Sequence, residues 1–258
     1  MNGAAVVNGS RWLRWYRRVP EPRLRLVCFP HAGGAASVYR EWPQWLPEDI
    51  EVVGVCYPGR QDRVTEPCIE EMGPLTSAVA DVLQGWAGGR LALFGHSMGA
   101  SVAYEVALRL EQRTGSRAAA GLFASGQLPP HRVVPKGVHR EGDEAIMEEV
   151  RRLGDPQAGT VLDDPDLREL VLPAIRADFR LIGTYLPRPA VPLATPVTAY
   201  VGEDDEDVPV EGLRMWSAAT GTAFDHRVFP GGHFYLLQDP EPVVLDVAGR
   251  LAPAAVAG

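Results

Sequence analysis

Gly95-His96-Ser97-Met98-Gly99 follows the apolar run Leu91-Ala92-Leu93-Phe94 and opens a segment that carries Ala100, Ala103 and Ala107 on one helical face. The pattern is G-x-S-x-G set between a strand and a helix, which is the context an exposed nucleophile requires. A turn of this kind holds the serine in a strained backbone conformation, and glycines two residues to either side let strand and helix approach closely. Ser97 also stands at a helix N-terminus, where oriented N–H groups favour developing negative charge. Ser97 is therefore expected to be a nucleophile.

Outward from this turn, short apolar runs alternate with longer amphipathic segments. Runs at 24–29, 52–56, 91–94, 121–124 and 197–201 are rich in β-formers and read as buried strands, with a last short strand at 225–229. Helices are expected at about 75–86, 98–113, 210–220 and 243–251. This is the signature of an α/β domain, a mostly parallel sheet with helices on both faces. Between the strands near 125 and 197 the alternation stops for too long a span to be a plain crossover. That span holds two helix-like stretches, 143–152 and 165–185, the second with Leu167, Leu170, Val171, Ile175, Phe179 and Ile182 at helical spacing. Prolines at 129, 130, 135, 187 and 189 punctuate its edges. It reads as a helical lid over the site, the alternative being a helical excursion that only covers the sheet. The expected organisation is an N-terminal extension at 1–20, core at 21–125, lid at 126–195 and core again at 196–258.

Composition narrows the classes. With 258 residues, one sizeable domain with an insertion is the default. A formal net charge of −8 argues against broad nucleic-acid affinity, which needs clustered cations. Neither a signal peptide nor an uncharged apolar run long enough to span a membrane is visible, so a cytoplasmic protein without membrane contact is expected. Cys28, Cys56 and Cys68 are an odd set without metal-ligand spacing and read as reduced, mostly buried thiols. A monomer is expected.

A serine hydroxyl needs a base, and in this arrangement the order along the chain is serine, acid, histidine. Of the six histidines, His31 and His96 precede the serine, His131 and His139 lie in the insertion, and His226 falls within the last strand. His233, in Pro230-Gly231-Gly232-His233-Phe234, sits on a loop just before the closing helix and is the expected base. The acid should leave the carboxyl end of a strand, and after Val201 the chain reads Gly202-Glu203-Asp204-Asp205-Glu206-Asp207. Asp205 is taken as the acid, with Asp204 open beside it. An oxyanion hole needs two backbone N–H groups, one from the residue after the nucleophile, Met98. The loop Phe29-Pro30-His31-Ala32-Gly33-Gly34 is expected to supply the other from Ala32.

Five motifs in order resemble one family, the stand-alone type II thioesterases of polyketide and nonribosomal peptide synthesis, members of the α/β-hydrolase superfamily. They are Phe29-Pro30-His31-Ala32-Gly33-Gly34, Tyr57-Pro58-Gly59-Arg60, Gly95-His96-Ser97-Met98-Gly99, Arg176-Ala177-Asp178-Phe179-Arg180 and Gly231-Gly232-His233-Phe234. The resemblance implies the α/β-hydrolase fold and a hydrolase that frees misprimed or stalled acyl groups from the phosphopantetheine arm of acyl carrier proteins, in a polyketide, prodiginine-like or nonribosomal peptide pathway. It maps the family's acid onto Asp205, although Glu206 stands where the family usually carries proline. Such chemistry proceeds through an acyl-serine and needs no metal or cofactor. The lid, through Phe179 and Ile175, would line the acyl site. Arg60, Arg63, Arg132, Lys136 and Arg140 are the expected positive patch for an acidic carrier protein. A small-molecule carboxylesterase or lipase, an acyltransferase, and a non-catalytic receptor share the fold and remain alternatives.

Overall fold

The structure, a computed structural model, describes residues 11–88, 90–156 and 158–252. Seven strands form one sheet in the order β1-β3-β2-β4-β5-β6-β7. They are β1 (Leu13–Arg17), β2 (Leu24–Phe29), β3 (Ile50–Val55), β4 (Leu91–His96), β5 (Gly121–Ser125), β6 (Val197–Gly202) and β7 (Phe224–Phe229). All pairings are parallel except β1 with β3. Residues 13–17, expected within an extension, thus form an edge strand of the sheet. Its sequence, Leu-Arg-Trp-Tyr-Arg, mixes charge into the strand, as an exposed edge tolerates and a central strand does not.

The helices are α1 (Met72–Leu83), α2 (Met98–Thr114), α3 (Asp143–Leu153), α4 (Ala158–Asp163), α5 (Pro165–Gly183), α6 (Val210–Arg214), α7 (Tyr235–Gln238) and α8 (Glu241–Arg250). Successive strand residues face opposite sides, so a strand buried on both faces feeds two cores. Val27 and Phe29 of β2 and Leu91 and Leu93 of β4 join the cluster beneath α1 and α2. Leu26, Cys28, Ala92 and Phe94 join the opposite cluster, closed by Val243, Val244 and Val247 of α8. Cys28 and Cys56 are buried, Cys68 is partly exposed, and all three are free.

The insertion folds as α3, α4 and α5 with a small core of its own, Ile146, Val150, Leu162, Ile175 and Phe179, against which Ala32 of the core domain packs. α5 starts where Asp164 accepts from the Asp166 and Leu167 N–H groups, with Pro165 in the first turn. α4 was not expected, being too short for periodicity to show. Among the described residues, no helix is long and apolar enough to cross a membrane.

Strand order reverses between β2 and β4, and in open parallel sheets the crevice beyond the carboxyl ends at such a point is where ligands bind. The loops after β2, β4, β6 and β7 carry the expected site residues.

Candidate active site

Ser97 has φ 53° and ψ −123°, one of two non-glycine residues with positive φ among the described residues. Its N–H donates to Ser125 O at 2.8 Å and its own carbonyl accepts from Ala100 N–H at 2.9 Å, so strand and helix pin the turn from both ends. The flanking glycines are obligatory: a Cβ on Gly95 would lie 2.1 Å from Gly99 O, and one on Gly99 would lie 2.1 Å from Phe29 O. The second contact exists because Phe29 pairs with Gly95 in register, so α2 starts directly over the end of β2.

Asp205 and His233 meet across the ends of β6 and β7. Asp205 Oδ2 lies 2.8 Å from His233 Nδ1. Its other oxygen accepts from the Asp207 N–H at 3.0 Å and the Val208 N–H at 3.2 Å, which fixes the carboxylate plane. Both residues are buried, at 6% and 8% exposure. His233 Nε2 is buried and has no partner among the described residues. Asp204 is exposed, and His226 lies on β7, stacked on Phe224. Of the two adjacent aspartates, only Asp205 reaches the imidazole.

Beside this pair lies a buried hydrogen-bonded chain that sequence reasoning missed. His96 Nδ1 is 2.9 Å from Ser125 Oγ, which is 2.7 Å from the Tyr235 hydroxyl, all fully buried or nearly so. Burial first, then the neighbouring His233 and His31, push the His96 imidazole well below its usual range, so it stays neutral. A neutral ring 5.1 Å from His233 does not oppose a proton on His233. Phe234 packs edge-on or tilted against His31, His96 and His233 alike, with centroids 4.8, 5.4 and 5.0 Å away. The sequence signal was available: a histidine directly before the candidate nucleophile, at the end of an all-apolar strand, has no solvent to face.

Met98 opens α2, so its N–H has no acceptor within the helix. Ala32 lies opposite, beside Ser97 and His233, on the wall of a cavity of about 210 Å³. Phe179 and Ile182 of α5 roof this cavity, and Val133, Val138 and Val208 make it apolar. A second cavity of about 140 Å³ lies beyond the Ala32 loop, lined by Val171 and Ile175. A narrow space of about 20 Å³, touching Ser97, Ala32, Phe179 and Phe234, lies between the two sets of walls. The apolar face expected over one acyl site is therefore divided: Phe179 faces Ser97, Ile175 the second cavity, and Leu170 is 53% exposed. The 3.6-residue period carries residues 175, 179 and 182 along one stripe, which the two cavities share along the helix, and rotates 170 out of it.

The expected positive patch is partly corrected. Arg60 and Arg63 are 8% and 5% exposed. Arg60 forms a two-pronged pair with Asp178, and Arg63 is held by Cys56 O and Glu66. Lys136 is engaged by Glu149 and Asp207 at 2.9 and 2.7 Å. Arg132 and Arg140 are exposed. Among the described residues, no cluster of His, Cys, Asp and Glu is arranged to hold a metal ion.

Comparison with known proteins bears on the family and the fold. The family described as "Thioesterase domain" matches residues 24–250. Thioesterase PikA5 of Streptomyces venezuelae is 42% identical over 246 residues, covering 95% of this chain and 87% of that protein. The type II thioesterase BorB from the borrelidin biosynthetic cluster superposes with a TM-score of 0.84 at 38% identity, over 93% of this chain and 98% of that one. RedJ, a thioesterase from the prodiginine biosynthetic pathway in Streptomyces coelicolor, gives a TM-score of 0.80 at 36% identity, over 89% of this chain and 91% of that one.

Proposed function

We propose a substrate and a mechanism for a chain that belongs to the thioesterase family and, within it, to the type II thioesterases of polyketide and nonribosomal peptide clusters. It hydrolyses acyl thioesters on the phosphopantetheine arm of acyl carrier proteins, releasing misprimed or stalled groups in the cytoplasm. The observation that carries the mechanism is a buried imidazole bonded to a buried carboxylate through one nitrogen, its other nitrogen unpartnered, on the same cavity wall as a strained serine.

The Ser97 hydroxyl gives its proton to His233 Nε2 as Oγ attacks the thioester carbon. The carbonyl π-electrons move onto oxygen, where the Ala32 and Met98 N–H groups receive the negative charge. Asp205 keeps the imidazole in the tautomer with its proton on Nδ1 and stabilises the imidazolium. As the carbonyl reforms, the C–S bond breaks and the thiolate takes the proton from His233, leaving an acyl-serine. Water then gives a proton to His233 and attacks the acyl carbon, and Ser97 recovers the proton as the acid departs. The apolar cavity under Phe179 and Ile182 suits an acyl chain.

The test is a substrate panel: the same acyl group on a carrier protein, on pantetheine alone, and as a p-nitrophenyl ester. The proposal predicts the highest kcat/KM on the carrier. A p-nitrophenyl ester turned over far faster than the acyl carrier would reassign the enzyme as an esterase. Transfer of the acyl group to an added thiol or amine in preference to water would make it an acyltransferase.

A further inference from the structure

Asp178 is the most buried carboxylate among the described residues of the lid, 2% exposed on α5, and takes no part in the chemistry above. Its Oδ2 accepts from the Gly33 N–H at 2.8 Å and from Arg60 Nη1 at 2.7 Å, and its Oδ1 accepts from Arg60 Nη2 at 2.8 Å. The same Nη1 also donates to Gly34 O at 2.9 Å. Arg60 is itself buried and lies over the Tyr57 ring, 5.1 Å from its centroid. Tyr57 in turn donates to Pro30 O at 3.3 Å. One ion pair therefore grips the loop after β2 at Gly33 and Gly34 and, through Tyr57, at its start.

Between these grips lie His31 and Ala32, and Ala32 is the candidate oxyanion donor. Its N–H shares a rigid peptide plane with His31 C=O, and that carbonyl accepts from Gly34 N–H at 3.0 Å. The N–H therefore points away from Gly34. The next plane, Ala32 to Gly33, is held by Asp178, with Gly33 at φ +78°, a conformation only glycine takes freely. Both planes flanking the Ala32 Cα are fixed, and the Ala32 N–H carries no bond within the protein among the described residues.

We propose that Asp178, held by Arg60, is a positioning residue that sets the direction of the Ala32 N–H, so that the oxyanion hole is complete only while α5 is seated. The proposal rests on the acyl-serine mechanism given above. It accounts for Arg60 and Asp178 of two motifs, 57–60 and 176–180, that lie far apart in the chain and supply no member of the Ser97, His233 and Asp205 set. Misdirecting one oxyanion donor is expected to lower kcat by about 10²-fold, the scale for losing such a donor.

Asp178→Asn leaves Arg60 as an unpaired buried cation, so the double variant Arg60→Gln/Asp178→Asn, neutral throughout, is measured beside it. Three readouts are taken on folded protein: kcat and KM on an octanoyl carrier protein, the Kd of octylboronic acid, and the Kd of a non-hydrolysable octyl thioether of the carrier. Octylboronic acid forms a tetrahedral adduct on Ser97 and reads the hole, whereas the thioether reads ground-state binding. The expected result is that kcat and boronate affinity fall together by about 10²-fold, while thioether affinity changes by less than about threefold. A merely structural pair predicts a lower melting temperature with boronate affinity and kcat near wild type, and that result overturns the proposal. If neither variant folds, Arg60→Lys keeps the charge and gives up the second prong. It should then lose kcat and boronate affinity in parallel, and wild-type values in it overturn the proposal. Wild-type enzyme that neither binds octylboronic acid nor forms an acyl-serine would instead remove the mechanism on which the proposal stands, and the proposal with it.

Discussion

At the scale of single residues, Asp204 and Asp205 differ in solvent and in partner. Asp205 is buried and bonded to His233 Nδ1, whereas Asp204 is exposed and contributes its backbone N–H to Gly231 O at 3.0 Å. Asp205→Asn should lower kcat by about 10⁴-fold, because an amide cannot hold the imidazole in the required tautomer. Asp204→Asn should leave kcat within about twofold, since its side chain reaches nothing in the site. Steady-state kinetics of the two variants on one acyl carrier check this, and equal losses would show that the acidic loop acts collectively. Within the run of five carboxylates, the sequence favoured Asp205 and left Asp204 open beside it, because solvation distinguishes them and solvation is set by how the loops after β6 and β7 meet. Ser97 and His233 were legible for the opposite reason: each sits where chain order, glycine spacing and the strand-to-helix switch all constrain it. Asp178 left a weaker trace, a carboxylate three residues beyond Ile175 and four before Ile182, on an otherwise apolar stripe.

At the scale of elements, the lid is tied to the core through charge. Lys136 and Arg152 bracket Glu149 and Asp207, and the Asp207 backbone N–H donates to the carboxylate of Asp205. The Arg152 hydrogen bond above all, against the opposing effect of burial and with help from Lys136, holds Glu149 down at about 2. A carboxylate depressed in the folded state adds stability that is fully present above its unfolded value near 4.5 and is lost as pH falls toward 2. Because these groups are partly solvated, Glu149→Gln should cost about 1 kcal/mol at pH 7. That difference should begin to shrink below about pH 4.5 and approach zero only near pH 2, measured by urea denaturation at each pH. A cost unchanged at low pH would mean the variant acts through packing. On α5, Phe179→Ala enlarges the cavity beside Ser97 and should shift kcat/KM toward longer chains, by up to about fourfold per added CH₂. An unchanged chain-length ratio with a large fall in melting temperature would place Phe179 in the lid's core alone. The lid helices themselves were legible from apolar period and prolines. Their ties to the core were not, since pairs such as Arg60 with Asp178 are 118 residues apart and no local pattern encodes them.

At the scale of the whole molecule, the proposed function requires a net-acidic enzyme to meet an acidic carrier through a local surface, and burial of Arg60 and Arg63 removes two of the cations expected there. Exposed Arg132 and Arg140 remain. Replacing both with Glu should raise KM for the acyl carrier by about three- to tenfold and leave acyl-pantetheine turnover unchanged, with the difference fading at high salt. A carrier KM insensitive to the change would place docking elsewhere. The sheet was legible because strands buried on both faces are continuous apolar runs, whereas β1, an edge strand of mixed polarity, was invisible to that rule. What the fold brings together is a strained serine, a buried imidazole and a roofed apolar cavity, and the central claim is that these act through Ser97. The most direct measurement is kcat of Ser97→Ala on an acyl carrier protein, in enzyme freed of contaminating hydrolases and with its melting temperature recorded. The account predicts a loss of about 10³-fold or more with the fold intact. Retention of more than about a tenth of wild-type kcat would contradict it.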